Sequence, residues 1–260
     1  MLRRILLSLF LVPFVLNAAF AQGWPTRQIQ TLVPQSPGSA LDIVTRAVME
    51  QVSAQLGQPI IIENRTGAGN TIAMAAVARA EPDGYTILAN SSTHSLVPVT
   101  YSTLSFDTFR DLTPIIPLGN TPLVMVVSSS RGYKRADFYF SPLTAVLPFL
   151  QDGKLQALAV SGSRRASALP NVPTVAEAGY AEATYNFWAG LFAPSKTPAP
   201  IIERIYQETA KALQGPTLKE RFVRLGFDPM LLDRAAFAKL IQDEFVLNTK
   251  VAEAAGVKAN

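Results

Sequence analysis

The chain has 260 residues and no cysteine, and 23 Lys and Arg against 19 Asp and Glu leave a formal net charge of +4. Without cysteine, thiolate catalysis, thiolate metal sites and disulfides are excluded. The basic residues are scattered along the chain, which argues against nucleic-acid binding. His94 is the single histidine, so we expect neither a metal site nor a cofactor.

The N-terminus predicts a signal peptide over residues 1–21. Arg3 and Arg4 form a short basic start, an almost entirely apolar stretch follows, and an Ala-Phe-Ala sequence ends at Ala21. This is the pattern that a signal peptidase accepts, and the apolar stretch is shorter than the ~20 residues that span a bilayer. We therefore expect cleavage after Ala21 and export to the periplasm.

Strands and helices alternate through the first third of the chain. Short apolar strands are predicted at 29–34, 60–64 and 85–89, and helices at 40–56 and 72–79. Such alternation is typical of a parallel sheet that is covered by helices.

The pattern is less regular beyond Ser91. Strands are predicted at 112–118, 123–127, 137–140, 155–160 and 187–193, and helices at 143–151, 201–214, 217–225 and 234–255.

Two polar loops follow predicted strands, at 36–39 and 90–94. Open α/β sheets bind ligands at the carboxyl ends of their parallel strands. The first N–H groups of a helix are unpaired and carry partial positive charge, so they can hold a carboxylate. Ordinary helix capping by Ser, Thr and Asn explains the same residues, and composition alone leaves both interpretations open.

An enzyme is the rival interpretation, and the sequence gives it little support. The Gly-Ala-Gly sequence at 67–69 lacks the third glycine and the lysine of nucleotide-binding loops, so a tight turn is favoured. A catalytic pair would have to be His94 with Asp42, which no motif accompanies. We therefore expect no catalytic residues.

Six segments, in order along the chain, resemble the substrate-binding proteins of tripartite tricarboxylate transporters, the Bug family. They are residues 24–42 (opening WPTRQI and loop VPQSPGSALD), 63–69 (ENRTGAG), 81–86 (EPDGYT), 153–160 (GKLQALAV), 169–179 (LPNVPTVAEAG) and 188–194 (WAGLFAP).

The resemblance implies an α/β, two-lobed periplasmic-binding-protein-like fold of parallel-type sheets flanked by helices. It implies a monomeric, hinged, non-enzymatic protein that hands a small organic anion to membrane transporter subunits. The anion would be a dicarboxylate, a tricarboxylate, an acidic amino acid or an aromatic acid. The ligand-binding residues that the resemblance implies are Ser36, Pro37, Gly38, Ser39, Ala40, Asp42, Ser91, Ser92, Thr93, His94, Phe140, Ser141 and Trp188.

The chain is shorter than the family pattern. Residues 128–135 join two segments directly where the family has further strand–helix units that carry the main ligand loop of the second lobe. We expect lobe 1 at 22–120 and 195–260, and a shortened lobe 2 at 121–194 with a deletion near 134–137.

The shortened lobe predicts weakened closure on a ligand. Two alternatives stay open: a degenerate family member with lost or altered ligand binding, and a ligand sensor. Smaller departures include Gln35 in place of a usual aromatic residue, and Ser39 and Asn70 in place of glycines.

Overall fold

A computed structural model describes residues 23–130 and 137–257. The predicted signal peptide and its cleavage site at Ala21 lie outside these ranges, and so does most of the predicted junction at 134–137. Within them, no helix is long and apolar enough to cross a membrane.

Strands and helices alternate along the described residues. The strands are β1 (Ile29–Val33), β2 (Ile60–Asn64), β3 (Thr86–Ser91), β4 (Leu112–Ser128), β5 (Tyr139–Pro142), β6 (Leu155–Val160), β7 (Asn186–Pro194) and β8 (Asp228–Pro229). The α-helices are α1 (Ala40–Leu56), α2 (Thr71–Ala78), α3 (Thr93–Thr100), α4 (Leu143–Gln151), α5 (Ala199–Gln214), α6 (Pro216–Leu225) and α7 (Arg234–Ala254).

The larger sheet has the order β2-β1-β3-β7-β4, and β8 pairs with the far side of β4. β1 pairs in parallel with both β2 and β3, because helices connect these strands and return the chain to the same end of the sheet. β7 is antiparallel to both β3 and β4. The α/β class is therefore confirmed, with the parallel pairing limited to the first three strands.

The smaller sheet has the order β5-β4-β6, and both outer strands are antiparallel to β4. α4 connects the outer strands and packs on the sheet through Leu143, Val146 and Leu147 against Val124 and Val160. The prediction of a parallel-type sheet in this part is thus wrong, because the strand shared with the larger sheet runs against its two neighbours.

β4 is one continuous strand, where the sequence predicts two strands with a break after Leu118. Pro114, Pro117 and Gly119 indicate a turn, but the structure places two β-bulges there, at 114–116 and 117–119. A bulge tolerates the missing proline N–H within a strand. β4 therefore passes from the larger sheet into the smaller one near Thr121. The chain later returns from the smaller sheet to the larger one. Because β7 pairs only within the larger sheet, we place this return before Asn186 rather than at Pro194, where lobe 2 was expected to end.

The helices cover both faces of the larger sheet. α1, α5 and α6 pack on one face with Ile87 of β3, and α2, α3 and α7 pack on the other with Leu88. Since β1 and β3 are parallel, α1 and α3 begin at the same edge of the sheet, from opposite faces. That edge carries the site described below.

α3 is the one α-helix of the described chain that the sequence does not predict. Its residues include Thr93, Val97, Pro98 and Val99, all poor helix formers. Val97 is buried in the cluster that α3 shares with Phe237 of α7, so packing overrides the local preference.

Candidate functional site

The carboxyl edge of the larger sheet is where β1 and β3 end. Gln35 follows β1, and α1 begins five residues later at Ala40; Ser91 ends β3, and α3 begins at Thr93. We call residues 35–42 the first loop and residues 90–95 the second loop.

Asp42 organises the first loop from inside. One carboxylate oxygen, Oδ2, accepts from the Gly38 N–H at 2.9 Å, and the other, Oδ1, accepts from the Asn64 amide at 2.9 Å. Arg46 lies 2.9 Å from Oδ1, and the Ser39 hydroxyl caps α1 by accepting from the Asp42 N–H.

The environment of Asp42 keeps it charged and enclosed. Burial acts to raise the pKa of Asp42, but the hydrogen bonds from Arg46, Gly38 and Asn64 outweigh burial and hold the pKa below its usual value. The residue is only 3% exposed. In this structure Asp42 shapes the first loop, and its contact with a ligand stays a prediction.

The first loop leaves two backbone donors unused. The Gly38 N–H is bound to Asp42, and the Ser39 N–H donates to the Ser36 carbonyl at 3.1 Å. The N–H groups of Ala40 and Leu41 have no acceptor among the described residues. These two donors lie in the first turn of α1, where the partial positive charge of the helix favours an anion. Ala40 and Leu41 are themselves enclosed, at 3% and 0% exposed. Ser36, Pro37 and Gly38 beside them are exposed.

The second loop is held by Asn90. Its Oδ1 accepts from the Ser91 N–H at 2.9 Å and lies 3.4 Å from the Thr93 hydroxyl, while its Nδ2 lies 3.2 Å from Nδ1 of His94. The Ser92 N–H donates to the Trp188 carbonyl at 3.1 Å. The loop is therefore anchored to both β3 and β7.

His94 lies in the core beneath the second loop. It is 1% exposed, and its ring stacks on Phe192 with ring centroids 4.1 Å apart. Burial lowers the pKa of His94 to about 3, and a hydrogen bond with the Thr108 backbone only partly opposes this. The His94 ring is therefore neutral and enclosed in this structure, and its part in a ligand site stays a prediction.

Trp188 and Ser92 are also enclosed, contrary to expectation. Trp188 is 1% exposed, and its indole N–H donates to Oε2 of Glu244 at 2.8 Å. Ser92 lies buried beneath the loop. The resemblance identified the segment around Trp188, but the side chain points into the core that α7 covers.

Phe140 and Ser141 lie on β5, in the smaller sheet. They pair with Met125 and Val124 of β4, and Ser141 is buried. In the described part of the chain no hydrogen bond joins either residue to the first or second loop. Their proposed part in ligand binding therefore depends on how the smaller sheet approaches the carboxyl edge.

Gln35 and Asn70 are candidate residues that the sequence reasoning did not select. The Gln35 amide donates to the Ser91 hydroxyl at 3.2 Å, and the Asn70 amide donates to the Thr93 hydroxyl at 2.7 Å. The two hydroxyls are 3.0 Å apart. This chain of polar groups borders a cavity of about 430 Å³. The signal that could have found both residues is that each departs from the family pattern.

The polar groups that border this cavity are uncharged. Gln35, Asn70, Thr93 and Thr100 supply its amides and hydroxyls, and Leu96 lies among its apolar lining. Over residues 23–130 and 137–257, no group of three or more His, Asp or Glu could hold a metal ion. The arrangement suits an anion bound by neutral donors.

A larger sheet joined to a smaller one by a shared strand, with two helix N-termini at the edge near the crossing, agrees with the two-lobed binding-protein fold that the resemblance implies. The family comparison agrees with this class. The model of the tripartite tricarboxylate transporter family receptor matches residues 44–141 and 132–257, and the chain belongs to this family. It is therefore a receptor-type protein rather than an enzyme, as the resemblance implied.

Individual proteins show similarity along nearly the whole chain. A UPF0065 protein of Bordetella bronchiseptica is 28% identical over 317 residues, covering 98% of this chain and 94% of the relative. Protein BugT of Bordetella pertussis is 26% identical, covering 92% of each. The solved structure of MatC from Rhodopseudomonas palustris with bound malate has a TM-score of 0.83 at 25% identity, covering 88% of this chain and 99% of MatC.

Both sequence comparisons bear on the predicted deletion. The two stretches that the family model matches meet at 132–141, beside the junction expected near 134–137. The alignment with the Bordetella bronchiseptica protein spans 317 positions although this chain has 260 residues, so many positions of the alignment have no counterpart here. The relative is therefore longer than this chain within the aligned stretch, and the place of the missing residues stays a prediction.

Replacing Asp42 with alanine is expected to lower the free energy of unfolding by about 3 kcal/mol. The change removes the acceptor for Gly38 and Asn64 and the ion-pair partner of Arg46, which keeps its hydrogen bond to the Asn64 side-chain oxygen. Urea denaturation measures the loss. Asp243→Ala is the control, because Asp243 is an exposed partner of Lys239 and its loss should cost less than about 1 kcal/mol. Equal effects from both changes would contradict the account.

His94 should make stability fall as the pH drops from 6.5 to 4.5. In this window the unfolded chain takes up a proton on His94, while the folded chain, with its His94 pKa of about 3, does not. Stability therefore rises with pH across the window. Chemical denaturation at several pH values should give a steeper slope for the wild type than for His94→Gln. Parallel slopes would contradict the buried, neutral histidine.

Proposed function

We propose that the protein is a periplasmic solute-binding protein that captures a small carboxylate at the carboxyl edge and delivers it to a tripartite tricarboxylate-type transporter. The observation that carries the proposal is the pair of unused N–H donors of Ala40 and Leu41 at the start of α1. We also propose that the signal peptide of residues 1–21 directs export and that the receptor is a monomer.

The chemistry of the edge favours a carboxylate. Two adjacent N–H groups at a helix N-terminus can each donate to an anionic oxygen, and the helix dipole adds to the attraction. Asp42 is the charged residue within the first loop, and its charge is balanced by Arg46. A bound anion would therefore not face an unpaired negative charge from this loop.

The second loop would hold the rest of the ligand. The Thr93 hydroxyl lines the cavity beside the amides of Gln35 and Asn70, and it is 3.0 Å from the enclosed Ser91 hydroxyl. Such groups suit a hydroxyl or a second carboxylate. MatC, which was solved with malate, has the same fold at 25% identity, so we propose a dicarboxylate of about the size of malate as the ligand.

The smaller sheet would act as a shortened second lobe, over about residues 121–185, that closes on the carboxyl edge through the crossings at Thr121 and near Asn186. Because it consists of three strands and one helix in the described chain, we propose that it covers the ligand incompletely. Affinity should then depend mainly on the larger sheet's loops, and Phe140 and Ser141 would contribute little.

A second candidate function is a family member that has lost capture. The observation in its favour is an apolar surface on β5 and just before it: Phe138 and Tyr139 are 53% and 69% exposed. An outer strand with exposed aromatic residues is what removal of neighbouring strands would leave.

Binding of L-malate, citrate, L-glutamate and benzoate by isothermal titration calorimetry tests the proposal, with the variant Ala40→Pro. Proline is favoured at the first helical position, and Ser39 already has the extended backbone, φ −67° and ψ 161°, that a following proline requires. The variant removes the Ala40 N–H without breaking α1. We expect malate to bind, and Ala40→Pro to weaken it about tenfold.

Arg234→Pro is the matched control, because Arg234 is the first residue of α7 and follows an extended Asp233. It should fold and bind malate as the wild type does. Equal affinity of Ala40→Pro and the wild type would refute the role of the α1 N-terminus. If none of the four acids binds the wild type at millimolar concentration, the second candidate function, a family member that no longer captures a ligand, is favoured.

A further inference from the structure

A half-buried carboxyl group from the C-terminal helix lies beside the second loop. Oε2 of Glu244, on α7, accepts from the Trp188 indole N–H at 2.8 Å and lies 3.1 Å from the Ser95 hydroxyl. Asn248, one turn further along α7, donates to the same hydroxyl at 3.1 Å. α7 therefore reaches both α3 and β7 through a single polar cluster.

This cluster is continuous with the backbone of the second loop. The Ser95 hydroxyl is 2.8 Å from the Ser92 carbonyl, so its one proton is shared between that carbonyl and Glu244. The Ser92 N–H donates to the Trp188 carbonyl, and the Ser92 side chain is hydrogen-bonded to Tyr185. The carbonyl, N–H and side chain of Ser92 are thus bound by Ser95, Trp188 and Tyr185, and the first two of these residues also contact Glu244.

Glu244 has no cationic partner in the described chain. Burial raises the pKa of Glu244, and the hydrogen bonds from Trp188 and Ser95 oppose that rise. Burial likewise raises the pKa of Tyr185 to about 12, with the hydrogen bond to Ser92 opposing and the charge of Glu244 adding to the shift. Even a half-buried carboxyl without an ion pair is destabilising when its hydrogen bonds are lost, so these hydrogen bonds favour an assembled cluster.

We propose that Glu244 is a positioning residue, which fixes the second loop against β7 so that Ser91 and Thr93 stand at the carboxyl edge. The inference rests on the proposed function, in which that loop contacts the ligand. Trp188 lies at the start of β7, close to where the chain returns from the smaller sheet. Through Trp188, the Glu244 carboxyl group therefore also sets the position of the second loop relative to β7.

The alternative is that Glu244 only holds α7 on the sheet. α7 already packs there through Phe237 and Ile241, and Phe237 contacts Trp188 edge-on with ring centroids 5.2 Å apart. A general packing role would loosen α7 and the whole sheet together. A positioning role would loosen the second loop and leave the first loop unchanged, and this difference can be measured.

Hydrogen–deuterium exchange of the ligand-free protein makes the distinction, with peptides over 90–97 and 36–42. We expect Glu244→Ala to speed exchange of the second-loop peptide about tenfold and to leave the first-loop peptide unchanged. Glu244→Gln should restore slow exchange, because its amide oxygen can accept from Trp188 and Ser95 without a charge. Asp243→Ala, the neighbouring exposed position on the same helix, is the control and should match the wild type.

Three outcomes would overturn the proposal: unchanged exchange in Glu244→Ala, equal acceleration in both peptides, or failure of Glu244→Gln to restore protection. If Glu244→Ala does not fold, Trp188→Phe takes its place, since it removes the indole donor and keeps an aromatic ring. It should give the same selective acceleration, and a second-loop peptide as protected as in the wild type would count against the proposal.

Titration with L-malate separates this inference from the proposed function. Glu244→Ala should weaken malate about tenfold and Glu244→Gln less than about threefold. If the wild type does not bind malate, the proposed ligand is wrong, while the exchange result still decides whether Glu244 positions the loop. Wild-type affinity in Glu244→Ala would refute its importance for binding.

Discussion

The parallel pairing of β1 and β3 is the constraint from which the candidate site follows. Because the two strands run in the same direction, their carboxyl ends meet at one edge, and the helices that follow them begin there from opposite faces of the sheet. One helix brings the free N–H groups of Ala40 and Leu41, and the other brings Thr93 with its hydroxyl neighbours. β4 and the return into β7 leave the larger sheet at the same edge, so the smaller sheet lies on that side of it.

Two acidic residues support this edge from within and neither need touch a ligand. Asp42 holds the first loop through Gly38 and Asn64, and Glu244 holds the second through Ser95 and Trp188. Both are acceptors for backbone or side-chain donors close to the loops. The groups that remain available at the edge are therefore neutral. Several neutral donors at a helix N-terminus can share the hydrogen bonds to one anion.

Much of the fold could be predicted, and the errors have physical causes. α1, β2 and α4 have the predicted bounds, because apolar periodicity and turn residues agree there. The continuous β4 and the helix α3 were missed, since bulges and packing override what Pro114, Pro117 and Pro98 indicate locally. Within the site, the first loop was located by the strand–turn–helix pattern. The inward orientation of His94 and Trp188 depends on the packing of α7, which no local pattern of the sequence contains. The same holds for the hydrogen bonds of Gln35 and Asn70 to the hydroxyls of Ser91 and Thr93.

The central claim, that the N-terminus of α1 receives the carboxylate, is tested most directly by two-dimensional ¹⁵N–¹H nuclear magnetic resonance during titration with L-malate. The account predicts that the amide signals of Ala40 and Leu41 shift most, with Thr93 next, because hydrogen bonding to an anion moves the resonance of the donating N–H. Largest shifts elsewhere, for example at the polar cleft that Gly162 and Arg164 form with Asn186, with those of Ala40 and Leu41 unmoved, would contradict it.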